Sequence, residues 1–473
     1  MKPLNKQTAG VSTQPPVKVL QFGEGNFLRA FVDWVIDILN EKANFNGSVH
    51  IVQPIAQGMV NMLNDQDCLY HVLLQGIKNG NTIDDKRLIT SIYSASNPYD
   101  DYKAYLALGE NPELEFMISN TTEAGIKFSE VDESSVTLPD TFPGKLTALL
   151  YHRYKFFKGA ADKGLTLIPC ELIEHNGTTL KKTIMQYIQH WHLPDDFALW
   201  IENHNRFCNT LVDRIVPGFP RENIKEIQTE LDFEDNLVVK AEPFLLWVIE
   251  APEGVKEAFP TYKTDLDVLF VKDITPYRTR KVRILNGAHT SLVPVAYLHG
   301  VRTVREAVEN DYTGAFIKKT IFEEIVPTLD LPAEELEKFA NAVLERFKNP
   351  FISHELISIA LNSVSKYKVR VLPSLLEYKK RKGSLPENLV HALAALIVFY
   401  RGEWNGESIA LNDSDDVLTF FKEIWNGKQE EIAPKVLSNT AFWDLDLSQV
   451  AGLSAAVQKE ISSILLSEKE KSY

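Results

Sequence analysis

Residues 17–22, Val-Lys-Val-Leu-Gln-Phe, form a short apolar run that stops at Gly23-Glu24-Gly25, and this junction constrains the fold more than any other stretch. Two glycines one residue apart let a backbone turn tightly and approach a bound group closely. Behind them Leu28, Phe31, Val32, Val35 and Leu39 recur at a helical period, and Val49-His-Ile-Val52 reads as a second strand. Strand, glycine turn, helix and strand within about 36 residues make a βαβ unit whose turn amides and helix start suit a dinucleotide pyrophosphate. An ordinary tight turn shares part of this pattern. The third glycine position of GxGxxG is Leu28, and the second strand ends in Gln53-Pro54, where a ribose-binding acid is expected. Residues alone therefore leave the choice between NAD and NADP open.

Further strand-like runs, Glu115–Ser119 and Leu165–Ile168, end in the polar stretches Asn120–Glu123 and Glu171–Gly177. In an open parallel sheet such carboxyl-end loops are where ligands bind. From about residue 276 the texture changes to helical periods punctuated by Pro327, Asn349-Pro350, Gly383, Pro386, Asn405-Gly406, Asn426-Gly427 and Pro434. The expected fold is α/β: a Rossmann-like dinucleotide-binding domain over residues 1–275, followed by an all-helical substrate and catalytic domain over 276–473. A cleft between two domains is a favoured place for catalysis.

The helical half opens on Thr279-Arg-Lys281-Val-Arg-Ile-Leu-Asn286-Gly-Ala-His289. On an α-helix, 100° per residue puts Lys281 at 0°, His289 at about 80° and Asn286 at about 140°, all on one side. Ketone and alcohol interconversion suits this trio. A lysine in an apolar, positively charged site is brought from near 10 toward 7 at a cost of about 4 kcal/mol, and then exchanges protons readily. An asparagine amide stabilises charge on a carbonyl oxygen, and a histidine orients a neighbouring hydroxyl. A basic surface helix with a capping asparagine gives the same spacing.

With 473 residues, 44% hydrophobic and 24% charged, the composition is that of a globular protein of two or three domains. A formal charge of −14 disfavours nucleic acid and anionic membrane as partners, while leaving room for a local basic pocket that takes an anionic small molecule. Cys68, Cys170 and Cys208 show no CxxC spacing, and His190-Trp-His192 lacks the spacing and acid of a zinc helix, so no metal is expected. No apolar signal core or run of about 18 apolar residues is found, and a cytoplasmic location is expected.

Several blocks carry a family likeness: Gln21–Ala30, Thr121–Gly125, His175–Gly177, Asp213–Pro217, Glu242–Phe244 with Trp247, Lys281–His289 and Arg346–Pro350. On these the chain resembles the long-chain polyol dehydrogenase family, which includes mannitol dehydrogenase and the hexuronate reductases. The resemblance implies NAD as cofactor and a reversible reduction of D-tagaturonate to D-altronate in hexuronate catabolism. Fructuronate (mannonate) reduction and mannitol-type polyol oxidation are the alternatives within the family. It also implies that Lys281 is the general acid and base, that Asn286 and Asn176 are paired oxyanion donors, and that His289 orients the substrate. Asn176-Gly177 is equally a turn dipeptide. The implied nucleotide loop comprises Val19, Leu20, Gln21, Phe22, Gly23, Glu24, Gly25, Asn26, Phe27, Leu28, Arg29 and Ala30, with backbone contacts from Phe22 to Phe27 mattering most. Thr121, Thr122 and Glu123 match a family block at a neighbouring sheet end, where loop capping is the alternative role.

Where the mannitol enzymes have a glutamate three residues before the lysine, this chain has Arg278, at about 60° on the same projection. A guanidinium matches a carboxylate bidentately and finds no anionic partner on a neutral polyol, which favours a uronate as substrate. Lys366 is a second candidate for that carboxylate, with Arg370 one turn further on. Both cations also suit a solvated surface.

Overall fold

The computed structural model describes residues 1–122 and 124–471, with side chains described to residue 468. It divides into two compact units, the first comprising Met1–Gln75 and Thr82–Ile274, the second comprising Gly76–Asn81 and the chain from Thr275 onward. Thr275 opens the helix that carries the lysine.

The first unit is built on a six-stranded, all-parallel sheet of β1 (Val17–Phe22), β2 (Ser48–Val52), β3 (Ile92–Ser96), β4 (Phe116–Ser119), β5 (Thr166–Pro169) and β6 (Arg206–Phe207). Its strands lie in the order 3-2-1-4-5-6. That is the doubly wound dinucleotide-binding order, and the reversal of winding between β1 and β4 marks the ligand crevice. Side chains of β1 alternate between two apolar cores: Val19 packs with Leu28, Phe31 and Val35 on one face, and Leu20 and Phe22 with Met117 and Leu146 on the other. Burial on both faces is why these strands read as near-continuous apolar runs.

The helix expected after the glycine turn is two helices, α1 (Asn26–Ala30) and α2 (Val32–Lys42), broken at Phe31, whose φ of −120° and ψ of −74° are not helical. Phe31 stacks on Phe27 and packs against Trp247, so tertiary ring packing overrides a periodicity that runs unbroken through the sequence. Pairs outside the main sheet were not anticipated. A hairpin of Tyr70–Lys78 and Asn81–Ile89 joins Val239–Ala241, and Asn209–Asp213 pairs antiparallel with Leu246–Glu250, which pairs parallel with Val268–Val271.

From Thr275 onward the described residues of the second unit are helical apart from a hairpin of two-residue strands, Glu403–Trp404 with Glu407–Ser408, a small departure from the all-helical expectation. Its framing helices include α3 (Gly287–Leu298), α4 (Ala333–Phe347), α5 (Ser363–Arg370) and α6 (Glu387–Phe399). Helix α6 has ten buried apolar residues on all sides, which places it at the centre of the unit. Among the described residues no helix is long and apolar enough to cross a membrane, and the three cysteines are buried thiols.

Candidate active site

In the first unit the turn after β1 is shaped by Gly23, whose φ of +119° lies in a region that side chains rarely adopt. A Cβ there would stand 3.0 Å from the Asn120 carbonyl oxygen, so Gly23 lets the β1 turn lie against the loop that leaves β4, at the switch point. Gly25 is exposed, and a Cβ on it would meet no atom of the described residues within 4 Å. Packing within the chain does not demand that glycine; the open space over it is what a close-lying ligand needs.

Burial separates floor from rim in the expected nucleotide loop. Val19, Leu20, Phe22, Leu28 and Ala30 are almost wholly buried in the two cores. The Gln21 amide donates to the Gly23 carbonyl at 3.1 Å and to Asp33 at 3.2 Å. Arg29 donates to the Glu24 and Leu237 carbonyls and to Asn26 Oδ1 at 3.0, 2.6 and 2.7 Å, with its guanidinium over the Tyr70 ring. Val19, Leu20, Gln21, Phe22, Leu28, Arg29 and Ala30 thus hold the turn from beneath with buried side chains, and the accessible stretch is Gly25–Phe27.

At the end of β4, Thr121 is committed through its amide and hydroxyl, each 3.0 Å from Glu171 Oε1, while Ser119 donates to Oε2. Burial raises the Glu171 pKa. Thr121 thus caps its loop through Glu171, the alternative role its block offered in sequence. Thr122 is exposed with φ +92°, a strained conformation for a β-branched residue and of the kind that collects at functional sites. Glu123 lies outside the described residues.

Asn176 is expected as an oxyanion donor, with a turn role as the alternative. It is fully buried, and its amide nitrogen lies 3.0 Å from the Pro169 carbonyl, 3.1 Å from that of Glu171 and 3.1 Å from the Thr210 hydroxyl. Its oxygen accepts from the Thr210 amide at 2.8 Å. With both amide hydrogens engaged, Asn176 ties the end of β5 to its neighbour, the arrangement that the turn alternative describes.

In the second unit the helix Thr275–Arg280 runs into a π-helical stretch, Lys281–Asn286, and on into α3. A π turn absorbs one extra residue into the helix, and such turns are frequent at functional sites. The angular expectation therefore changes. With the extra residue taken up, Asn286 falls about 40° from Lys281 instead of about 140°, and His289 about 20° to the other side. Arg278 stays at about 60°, so the four polar residues share an arc of about 80°. All four are half-buried.

His289 stacks on Phe347, the last residue of α4, with ring centroids 4.1 Å apart, and meets His354 edge-on at 5.4 Å. Neither partner was singled out from the sequence, although Phe347 lies inside the Arg346–Pro350 block. Helix α5 packs on the π stretch: Arg283 donates to the Val369 carbonyl at 2.5 Å, and a Cβ on Gly287 would stand 3.0 Å from the Arg370 carbonyl oxygen. Lys366 donates to the Ile359 carbonyl at 2.8 Å. Burial, then the positive charge of Arg370, lowers the Lys366 pKa, and burial lowers those of Arg370 and Arg283. Cations held out of water beside one another are electrostatically primed for an anion.

The first unit is thus a dinucleotide-binding fold and the second a helical unit bearing a lysine, an asparagine and a histidine on one face. Residues 17–261 match the Mannitol dehydrogenase Rossmann domain and residues 273–465 the Mannitol dehydrogenase C-terminal domain. The chain belongs to the mannitol dehydrogenase family. It is 52% identical over 467 residues to "Altronate oxidoreductase" of Phocaeicola vulgatus, covering 98% of this chain and 97% of that protein. It is 48% identical to the protein of that name from Bacillus subtilis, covering 98% and 96%, and 47% identical to that from Yersinia enterocolitica, covering 95% of each. Among solved structures, D-sorbitol dehydrogenase in substrate-free form superposes with a TM-score of 0.80 at 20% identity, covering 99% of each chain. Pseudomonas fluorescens mannitol 2-dehydrogenase, in ternary complex with NAD and D-mannitol, gives a TM-score of 0.67 at 22% identity, covering 100% of this chain and 98% of that one. These two likenesses speak for the fold.

Proposed function

We propose that the chain is an NAD-dependent oxidoreductase that interconverts D-tagaturonate and D-altronate. The observation that carries this reading is the π turn that gathers Lys281, Asn286 and His289 onto one narrow face of a helix. The near-full-length kinship with altronate oxidoreductases supports the substrate, as do the cations on and beside that helix.

The first unit fits a dinucleotide on two counts: the strand order with its switch point at β1 and β4, and the open space over Gly25. The backbone of Gly23–Phe27 and Thr122 would hold it. When bound, NAD supplies or removes the hydride at the sugar carbon. Reduction of a ketone to an alcohol also needs one proton at oxygen, and Lys281 donates it from its ammonium; in the oxidative direction the neutral amine takes it back. Asn286 donates its amide hydrogen to the same oxygen as charge builds there. His289, its ring plane fixed by Phe347, hydrogen-bonds a neighbouring hydroxyl. Arg278 and Lys366 take the carboxylate, which a neutral polyol lacks.

A panel of tagaturonate, fructuronate and fructose, each tried with NADH and with NADPH, tests the assignment. Tagaturonate with NADH is expected to give the highest kcat/KM. Preference for fructose would overturn the uronate reading, and no NADH oxidation with any sugar would overturn the enzymatic one.

A further inference from the structure

Glu24 is the sole carboxylate in the loops that leave β1 and β2, residues 23–25 and 53–59, and neither loop contains lysine or arginine. Its side chain reaches from the first loop to the second. Oε1 accepts from the Met59 amide at 3.4 Å, and Glu24 Oε1 and Gln53 Cδ together fill the space that a Cβ on Gly58 would take. Gln53, which stands where the ribose-binding acid of such a fold is expected, is occupied with its own loop. Its amide donates to the Ile55 and Ala56 carbonyls at 2.8 and 3.1 Å, and its oxygen accepts from the Val60 amide at 3.3 Å.

We propose that Glu24 supplies, from the glycine turn, the carboxylate that β2 lacks at its end: it accepts the hydroxyls of the adenosine ribose and repels a 2′-phosphate, so that the chain selects NAD(H) over NADP(H). This rests on the nucleotide-dependent reading given above. A ribose diol offers two hydrogens to a carboxylate, whereas a 2′-phosphate brings nearly two negative charges. No cation of either loop offsets that repulsion, and the Arg29 guanidinium is spent on the Glu24 and Leu237 carbonyls and Asn26. Glu24 is mostly buried, so its carboxylate is weakly screened by water.

The test is direct binding to the full chain without sugar: titration of NADH and NADPH by fluorescence, with competition by ADP-ribose and by its 2′-phosphorylated form. The unsubstituted protein is expected to favour NADH by at least about tenfold. Glu24→Gln keeps the acceptor for Met59 and removes the charge, and is expected to bring the two affinities to within about threefold, chiefly by tightening NADPH. Gly58→Ala keeps the charge but displaces the carboxylate, and is expected to weaken NADH and ADP-ribose while improving their phosphorylated counterparts relative to them. If the unsubstituted protein prefers NADPH, or if both variants bind NADH with the original preference, the proposal is overturned. Uronate turnover with NADH alongside such an unmoved preference would sink the role of Glu24 alone. Absence of NADH binding in the unsubstituted protein would sink the nucleotide reading as well.

Discussion

Asp33 lies fully buried beneath the glycine turn, accepting from Gln21 at 3.2 Å and from the Tyr70 hydroxyl at 3.4 Å. Burial pushes its pKa up to about 7 from an ordinary 3.8, against the opposing pull of these hydrogen bonds and of Arg29. The fold therefore favours the neutral acid. Stability from this group is fully present below about pH 4 and is lost as the pH rises toward 7, because the unfolded chain then holds fewer protons than the folded one. Asp33→Asn keeps an acceptor, cannot ionise, and brings a donor to a place where Asp33 Oδ1 and Gln21 Oε1 are buried with no hydrogen-bond partner among the described residues. It is expected to raise stability at pH 8 by ~1–3 kcal/mol and to change it little at pH 4. Denaturant melts at the two pH values check this; an equal effect at both would contradict it. At this scale the type and spacing of Lys281, Asn286 and His289 make them candidates in the sequence, whereas Asn176 and Arg29 look the same in sequence whether they face a ligand or a buried carbonyl. Only the three-dimensional position of Pro169, Thr210 and Leu237 decides that.

At the scale of elements, the π turn is the clearest case of a feature that the sequence withholds. An α-helical projection spreads the proposed site residues over the wrong arc, because one extra residue in a turn leaves no mark on composition or periodicity. The break at Phe31 was hidden for the same reason, while the strands of the parallel sheet were legible because burial on both faces makes them continuous apolar runs. The end of α4 now matters to the site through Phe347, whose ring lies 4.1 Å from that of His289. Phe347→Leu removes about 1 kcal/mol of ring stacking and lets the imidazole swing. KM for the uronate is expected to rise about fivefold, with kcat reduced less and NADH affinity unchanged. Steady-state kinetics with an independent NADH titration measure both. An unchanged KM, or a loss of NADH affinity, would count against His289 as a substrate-orienting group.

Across the whole molecule the formal charge is −14, yet an anionic sugar and an anionic dinucleotide are the expected ligands. The balance is local. Arg278, Lys281, Arg283, Lys366 and Arg370 lie half-buried on the lysine helix and on the α5 helix packed against it, and in the proposed reading the glycine turn of the other unit would take phosphate through backbone amides. The sequence shows a βαβ signature near its start and a change of texture near residue 276, and the chain divides at Ile274 and Thr275. The exception is the hairpin tip Gly76–Asn81, which belongs with the second unit, where the Asn79 and Gly80 amides donate to Glu345. No local pattern marks a six-residue excursion of that kind. The most direct test of the whole account is Lys281→Ala, assayed for NADH oxidation with tagaturonate and separately for NADH binding. The account predicts a fall in kcat of about 10²–10⁴-fold with the NADH dissociation constant unchanged; turnover near that of the unsubstituted protein would contradict it.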